Sequence, residues 1–153
     1  MEDLFDRAQN AAMLARLDRL TPTTAALWGK MNPAQMLAHC QVALDVALGR
    51  RELKKNLMGT ILSAMFGKAA KKKLLQSAPF DKNLPTAPDF KITDARTFAA
   101  EHAKLRALIE AFAQAGPAGL AKGPHPFFGP LTSQEWSALQ WKHLDHHFRQ
   151  FGV

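Results

Sequence analysis

Apolar residues recur at helical spacing through most of the chain, and polar caps and breakers divide that pattern into segments. Over 4–20, Leu4, Ala8, Ala11, Ala12, Ala15 and Leu20 fall near one face, with Met13, Leu14 and Leu17 widening it, which predicts a first helix. Thr21-Pro22-Thr23-Thr24 ends it, and Leu27-Trp28-Gly29-Lys30 continues as a loop carrying a large aromatic anchor. Asn32-Pro33-Ala34-Gln35 combines an N-cap, a proline at the first helical position and a glutamine three residues after the cap. A second helix therefore starts at Pro33 and runs to about Leu48, with Gly49 as its stop. The wide apolar arc of Leu57, Met58, Ile61, Leu62, Met65 and Phe66 predicts a helical stretch over 53–76, weakened by Gly59 and Gly67.

Three prolines between residues 77 and 92 predict a surface loop, after which Thr93 is expected to cap a helix reaching Ala115. Phe98, Leu105, Leu108, Ile109 and Phe112 form its apolar face. The segment 116–130 holds four glycines and four prolines together with His125, Phe127 and Phe128, and is expected to pack over the bundle as an irregular loop. Thr132-Ser133-Gln134-Glu135 matches a capping box, so a final helix runs from Ser133 almost to the end. No stretch alternates long enough to make a strand, and no internal repeat appears. The pattern predicts an all-α, up-and-down four-helix bundle with an extra helical or loop segment in the middle, and 153 residues suit one domain over 1–153.

Charge changes this picture in one place. The formal net charge is +7, and residues 50–73 account for all of it: Arg50, Arg51, Lys54, Lys55, Lys68, Lys71, Lys72 and Lys73 stand against Glu52 alone. No aromatic residues interleave with these lysines as a base-stacking platform requires, so a solvated basic face is expected rather than a specific nucleic-acid site. Docking on an anionic surface is the other reading of the segment. The acidic N-terminus lacks a secretory signal, no apolar run is long enough to span a bilayer, and the single Cys40 cannot form an internal bridge; a cytoplasmic protein is expected.

The candidate chemistry is histidine. The final helix reads Trp141-Lys142-His143-Leu144-Asp145-His146-His147-Phe148, and the spacing of four puts His143 and His147 one turn apart, close enough to reach one ion. Two imidazoles make half a site. His39 is the best candidate third ligand, since it sits mid-helix among Gln35, Met36, Ala43 and Val46, where a histidine needs a partner. Hydrogen-bonded core histidines are the ordinary alternative. His146 could replace either partner, His102 lies on the Phe98–Leu105 face, and His125 could approach from its loop or cap a neighbouring backbone. Asp145, about 160° around the helix from His143, reads as a surface charge. Cys40 points about 100° from His39 and reads as a small core residue rather than a nucleophile.

Three segments carry a family likeness. Leu27-Trp28-Gly29-Lys30-Met31 leading into Met36-Leu37-Ala38-His39-Cys40, the loop His125-Pro126-Phe127-Phe128-Gly129, and the closing run from His143 to Phe151 resemble the DinB-like superfamily, and within it a bacterial branch known only as a domain of unknown function. Residues 53–92 carry none of this likeness. The resemblance implies a four-helix bundle with a divalent metal, zinc or nickel first, on His39, His143 and His147. It also implies a thiol transferase or related hydrolase or isomerase that acts on a small-molecule substrate with a low-molecular-weight thiol such as bacillithiol, mycothiol or glutathione. No thiol-pocket motif is recognisable. A non-catalytic bundle that binds a ligand or partner, with a vestigial histidine site, is the alternative, and homodimer formation is left open.

Overall fold

The computed structural model describes residues 2–53, 67, 69, 71–74, 76 and 78–153. Among these the chain is an all-α bundle of four main helices, α1 (Arg7–Leu17), α2 (Pro33–Ala47), α3 (Phe98–Ala115) and α4 (Ser133–Gln150), with 3-10 turns at Pro88–Phe90 and Pro117–Gly119. The expected helical stretch over 53–76 falls mostly outside the described residues; 67, 69 and 71–74 within it are helical. No described helix is long and apolar enough to cross a membrane.

The helix starts follow the local chemistry of the caps. At α2 the Asn32 side chain accepts from the Gln35 backbone N–H at 2.9 Å, while the Gln35 side chain accepts from the Asn32 N–H at 3.1 Å. At α4 Thr132 and Glu135 close the same reciprocal pair, accepting at 3.2 and 2.7 Å. Such a cap contributes about 1 kcal/mol and fixes where the helix begins, and so which side chains face the core.

Three expected boundaries move, one of them the end of α1, which stops at Leu17 with Asp18 as its C-cap rather than reaching residue 20. The first helix begins at Arg7 rather than residue 4, because the Asp6 carboxylate accepts from the Gln9 N–H at 2.9 Å and so caps the turn. Leu4 is nevertheless fully buried, held by its backbone N–H donating to Ser137 Oγ on α4 at 2.7 Å. The α3 helix begins at Phe98 with Thr97 as its N-cap, so Thr93 is not the cap. The polar run before Thr97 offers nothing to bury, and Asp94 there pairs with Arg96 at 2.9 Å and accepts from Gln35 through its carbonyl.

Each helix packs mainly against two others: α2 and α1 both contact α3 and α4. The core between them comprises Met13, Leu17, Met36, Leu37, Leu44, Leu105, Ile109, Phe112, Leu144 and Phe148. The irregular 116–130 segment lies on this core as expected: Leu120 is buried, and the Ala121 N–H donates to the Ala47 carbonyl at 2.8 Å. Behind it Gly49, at φ +67°, lets the chain turn at the end of α2.

Asp145 does not read out as a surface charge. It is buried, because α4 has a second packed face toward α1, where Arg16 donates to Asp145 Oδ1 at 2.7 Å while Arg149 holds Oδ2 at 2.8 Å. Lys142 is buried too, and its ammonium donates to the carbonyls of Gln76 and Ala78. That contact pins the chain near residue 78 onto α4 and brings residues 79–82 beside His146. Several of the described basic residues are engaged locally: Lys71 with Glu135 and the Pro130 carbonyl, Lys73 with Asp81, and Arg51 with the Asp89 carbonyl.

Candidate metal centre

The packing of α2 against α4 brings His39 to the His143/His147 pair. Their ring centroids lie 5.0 Å apart for His39 and His143, 4.5 Å for His39 and His147, and 4.8 Å for His143 and His147. One ligand atom from each ring falls within 4.8 Å of the others. His39 and His147 are buried and His143 is partly so.

The hydrogen bonds fix which nitrogens face inward. His39 Nδ1 lies 2.8 Å from the Phe90 carbonyl oxygen. A carbonyl only accepts, so Nδ1 carries the proton and the neutral ring presents a bare Nε2. Gln150 repeats the logic on α4. Its Nε2 donates to the Trp28 carbonyl at 2.7 Å, which identifies the other amide atom as Oε1, and Oε1 accepts from His147 Nδ1 at 2.8 Å. His147 therefore also offers Nε2. Gly29, at φ +81°, borders this contact, and a Cβ there would collide with the Gln150 amide.

His143 completes the set from the other direction. Its Nε2 is 3.1 Å from His39 Nε2, and its buried Nδ1 has no hydrogen-bond partner among the described residues. Two ligands of one ion at about 2.1 Å subtend about 3.4 Å at the tetrahedral angle and about 3.0 Å at a right angle. The 3.1 Å pair lies between these values, and it is also a hydrogen bond, with His143 Nε2–H donating to the bare His39 Nε2; a cation would replace that proton. With the third imidazole's ligand atom within 4.8 Å of these two, the chemistry of the three residues fits a divalent cation.

Electrostatics favour the metal-ready state. Burial lowers the pKa of all three imidazoles: His147 is pushed down to about 3, His143 falls well below the ordinary histidine value, and His39 is lowered although the Phe90 hydrogen bond pulls the other way. Neighbouring rings deepen the shifts of His143 and His147. Neutral imidazole is the form that binds a metal. The group contains no carboxylate, so a divalent ion held there would keep its full +2 charge and favour an anionic fourth ligand.

A family described as "Protein of unknown function (DUF1569)" matches residues 2–152. The chain belongs to that family. No curated protein and no solved structure matches it.

Of the other histidines in this DUF1569 protein, none joins the ligand group among the described residues. His146 packs its ring 5.0 Å from that of His147 but turns toward Trp28 and Phe80. His102 faces the Leu17 carbonyl at 3.2 Å and stacks near Phe98. His125 stays in its loop, where Nδ1 accepts from the N–H groups of Phe127 and Phe128 at 3.1 and 3.2 Å. Cys40 is fully buried, its Sγ lies against Met36 Sδ, and burial pushes its thiol pKa up, as suits a core residue. Sequence reasoning missed the groups that orient the ligands. Gln150, three residues after His147, carried a readable signal, whereas the carbonyls of Phe90 and Trp28 act through backbone that long-range folding brings in.

Proposed function

We propose that His39, His143 and His147 hold one divalent metal and that this DUF1569 protein is a metal-dependent enzyme acting on a small molecule, with transfer of a low-molecular-weight thiol as the leading reaction. The observation that carries the reading is the 3.1 Å approach of His39 Nε2 to His143 Nε2, between rings that burial keeps neutral. The resemblance to DinB-like proteins supports the same three residues. When bound, a divalent ion with an open position lowers the pKa of a coordinated thiol or water and holds the resulting nucleophile.

The chain's own residues supply the rest. The Phe90 carbonyl orients His39, and Gln150 with the Trp28 carbonyl orients His147, so both rings hold their protons on Nδ1, away from the centre. His39, His143 and His147 are all neutral, so together they would leave the charge of a held divalent ion uncompensated and favour an anionic partner such as a thiolate. With no carboxylate in the group to take it, the proton of a bound thiol would pass to water.

The test starts from untagged protein purified without chelator, with metal content measured directly and zinc and nickel then titrated. One equivalent per chain is expected. The loaded protein is next assayed for loss of glutathione, bacillithiol or mycothiol in the presence of an alkylating electrophile. Absence of metal binding at micromolar concentration removes the chemical basis of the reading and leaves a bundle with a vestigial site; metal binding without thiol consumption retains the centre and removes the reaction.

A further inference from the structure

On the outer side of α4, one imidazole away from the ligand group, a cleft of about 100 Å³ is lined by Trp28, Pro79, Phe80, Lys82, His146 and Arg149. Its walls are aromatic: the His146 ring lies edge-on to Trp28 at 5.9 Å between centroids and tilts against Phe80 at 6.1 Å. Its rim is cationic. Lys82 Nζ sits 4.6 Å over the Trp28 ring. Arg149 uses its Nε for Asp145, and that carboxylate is shared with Arg16, so two guanidiniums meet one acid. Asp81, beside the cleft in sequence, is taken up by Lys73. Among the described residues, positive charge therefore exceeds negative at this opening.

The cleft is also tied mechanically to the proposed centre. Gln150 holds His147 through Oε1 and the Trp28 carbonyl through Nε2, and its own carbonyl accepts from the Leu27 N–H at 2.7 Å. The wall of the cleft and one ligand imidazole thus hang on a single residue. On the other side Lys142 anchors the segment that delivers Phe80 and Lys82.

We propose that this cleft is a recognition subsite for a small planar anion, an aromatic or conjugated ring bearing a carboxylate. The ring takes the place of the Lys82 ammonium against Trp28, beside Phe80, and the carboxylate meets the displaced Lys82 and Arg149. The volume suits about one ring. As the substrate-binding end of the centre, the subsite rests on the metal-enzyme reading above; as a binding site it stands alone.

Benzoate serves as the probe, with benzyl alcohol supplying the ring without the charge and acetate the charge without the ring. Zinc-free full-length protein is titrated first, so that direct carboxylate binding to an ion is not what is read, and the indole N–H resonance of Trp28 is followed by NMR, assigned through Trp28→Phe. Benzoate should shift that resonance saturably in the millimolar range, with benzyl alcohol and acetate each binding more weakly. Lys82→Ala, at an exposed position, should weaken benzoate about fivefold, the loss of about 1 kcal/mol expected for one solvent-facing charge contact. Phe80→Ala should weaken benzoate and benzyl alcohol alike. No saturable shift by tens of millimolar, or a shift indifferent to Lys82→Ala, overturns the subsite. Zinc content measured on the same samples separates the two readings: benzoate binding in a chain that takes up no zinc upholds the subsite and removes the centre, and zinc uptake without benzoate binding does the reverse.

Discussion

The protein holds buried and half-buried histidines in two settings that differ in what their nitrogens face. In the loop after α3, His125 spends Nδ1 on two backbone N–H groups and packs its ring between Phe128 and Trp136, at 4.9 and 5.3 Å. The loop around it closes on itself, with the backbones of His125 and Gly129 exchanging hydrogen bonds at 2.9 Å in each direction. Between α2 and α4 the bonds run the other way: carbonyl and amide oxygens take the outer nitrogens of His39 and His147, and the inner ones converge. Both settings lower the imidazole pKa through burial, His125 to about 4 and His147 to about 3. A depressed pKa therefore does not distinguish a structural histidine from a proposed ligand. The direction in which the remaining lone pair points does.

The sharpest way to break this contrast is to remove imidazoles from each setting and count metal. Alanine at His39, His143 or His147 should abolish stoichiometric zinc uptake, because two imidazoles hold an ion far less well than three, whereas His102→Ala and His125→Asn should leave it at one equivalent. Equal loss in both sets, measured by element analysis of folded protein, would show that the convergence of nitrogens carries no meaning. Gln150→Leu comes next. It leaves all three ligands in place but frees His147 Nδ1, and outer partners of this kind typically contribute about 10–100-fold in metal affinity. A competition titration that finds the variant within twofold of the parent would reduce Gln150 to packing.

Those two expectations show how unevenly the sequence spoke. That His143 and His147 lie together was legible because helical geometry fixes the relation of residues four apart, and the capping boxes at Asn32 and Thr132 set the phase of both helices that carry the proposed ligands. His39 was legible because a histidine on an apolar helix demands a partner. Asp145 was misread for want of knowledge that α4 is packed on two sides, and the Thr93 cap failed because a good capping residue needs an apolar turn behind it to bury. The Trp28 cleft was invisible, since Lys82, His146 and Trp28 meet only through tertiary folding.

Smaller effects sharpen the comparison from outside the ligand set. Gly29→Ala should cost about 1–2 kcal/mol in urea unfolding, because φ +81° disfavours any side chain and the new methyl displaces the Gln150 amide; zinc affinity should fall with it. Stability lost with zinc affinity unchanged would uncouple the Trp28 loop from His147. The smallest signal belongs to His125. Its folded pKa lies below the unfolded value, so between about pH 6.5 and 4 the unfolded chain binds more protons and stability falls as the pH is lowered. Asparagine can accept from the same two N–H groups without titrating. In chelator, where the other histidines contribute equally to both chains, His125→Asn should therefore lose about 1 kcal/mol less than the parent between pH 7 and pH 5.5. Parallel pH profiles would place the His125 shift elsewhere.

The meeting of His39 and His143 also has a temporal consequence, because it joins side chains 104 positions apart. A cation offered to the unfolded chain finds only the neighbouring imidazoles of His143, His146 and His147, since His39 arrives only once α2 has docked on α4. Contacts of such sequence separation form late, after much of the loop-closure entropy has been spent. Zinc should accordingly act as a latch on the finished bundle: in stopped-flow measurements it should slow unfolding in proportion to occupancy and leave the refolding rate nearly unchanged.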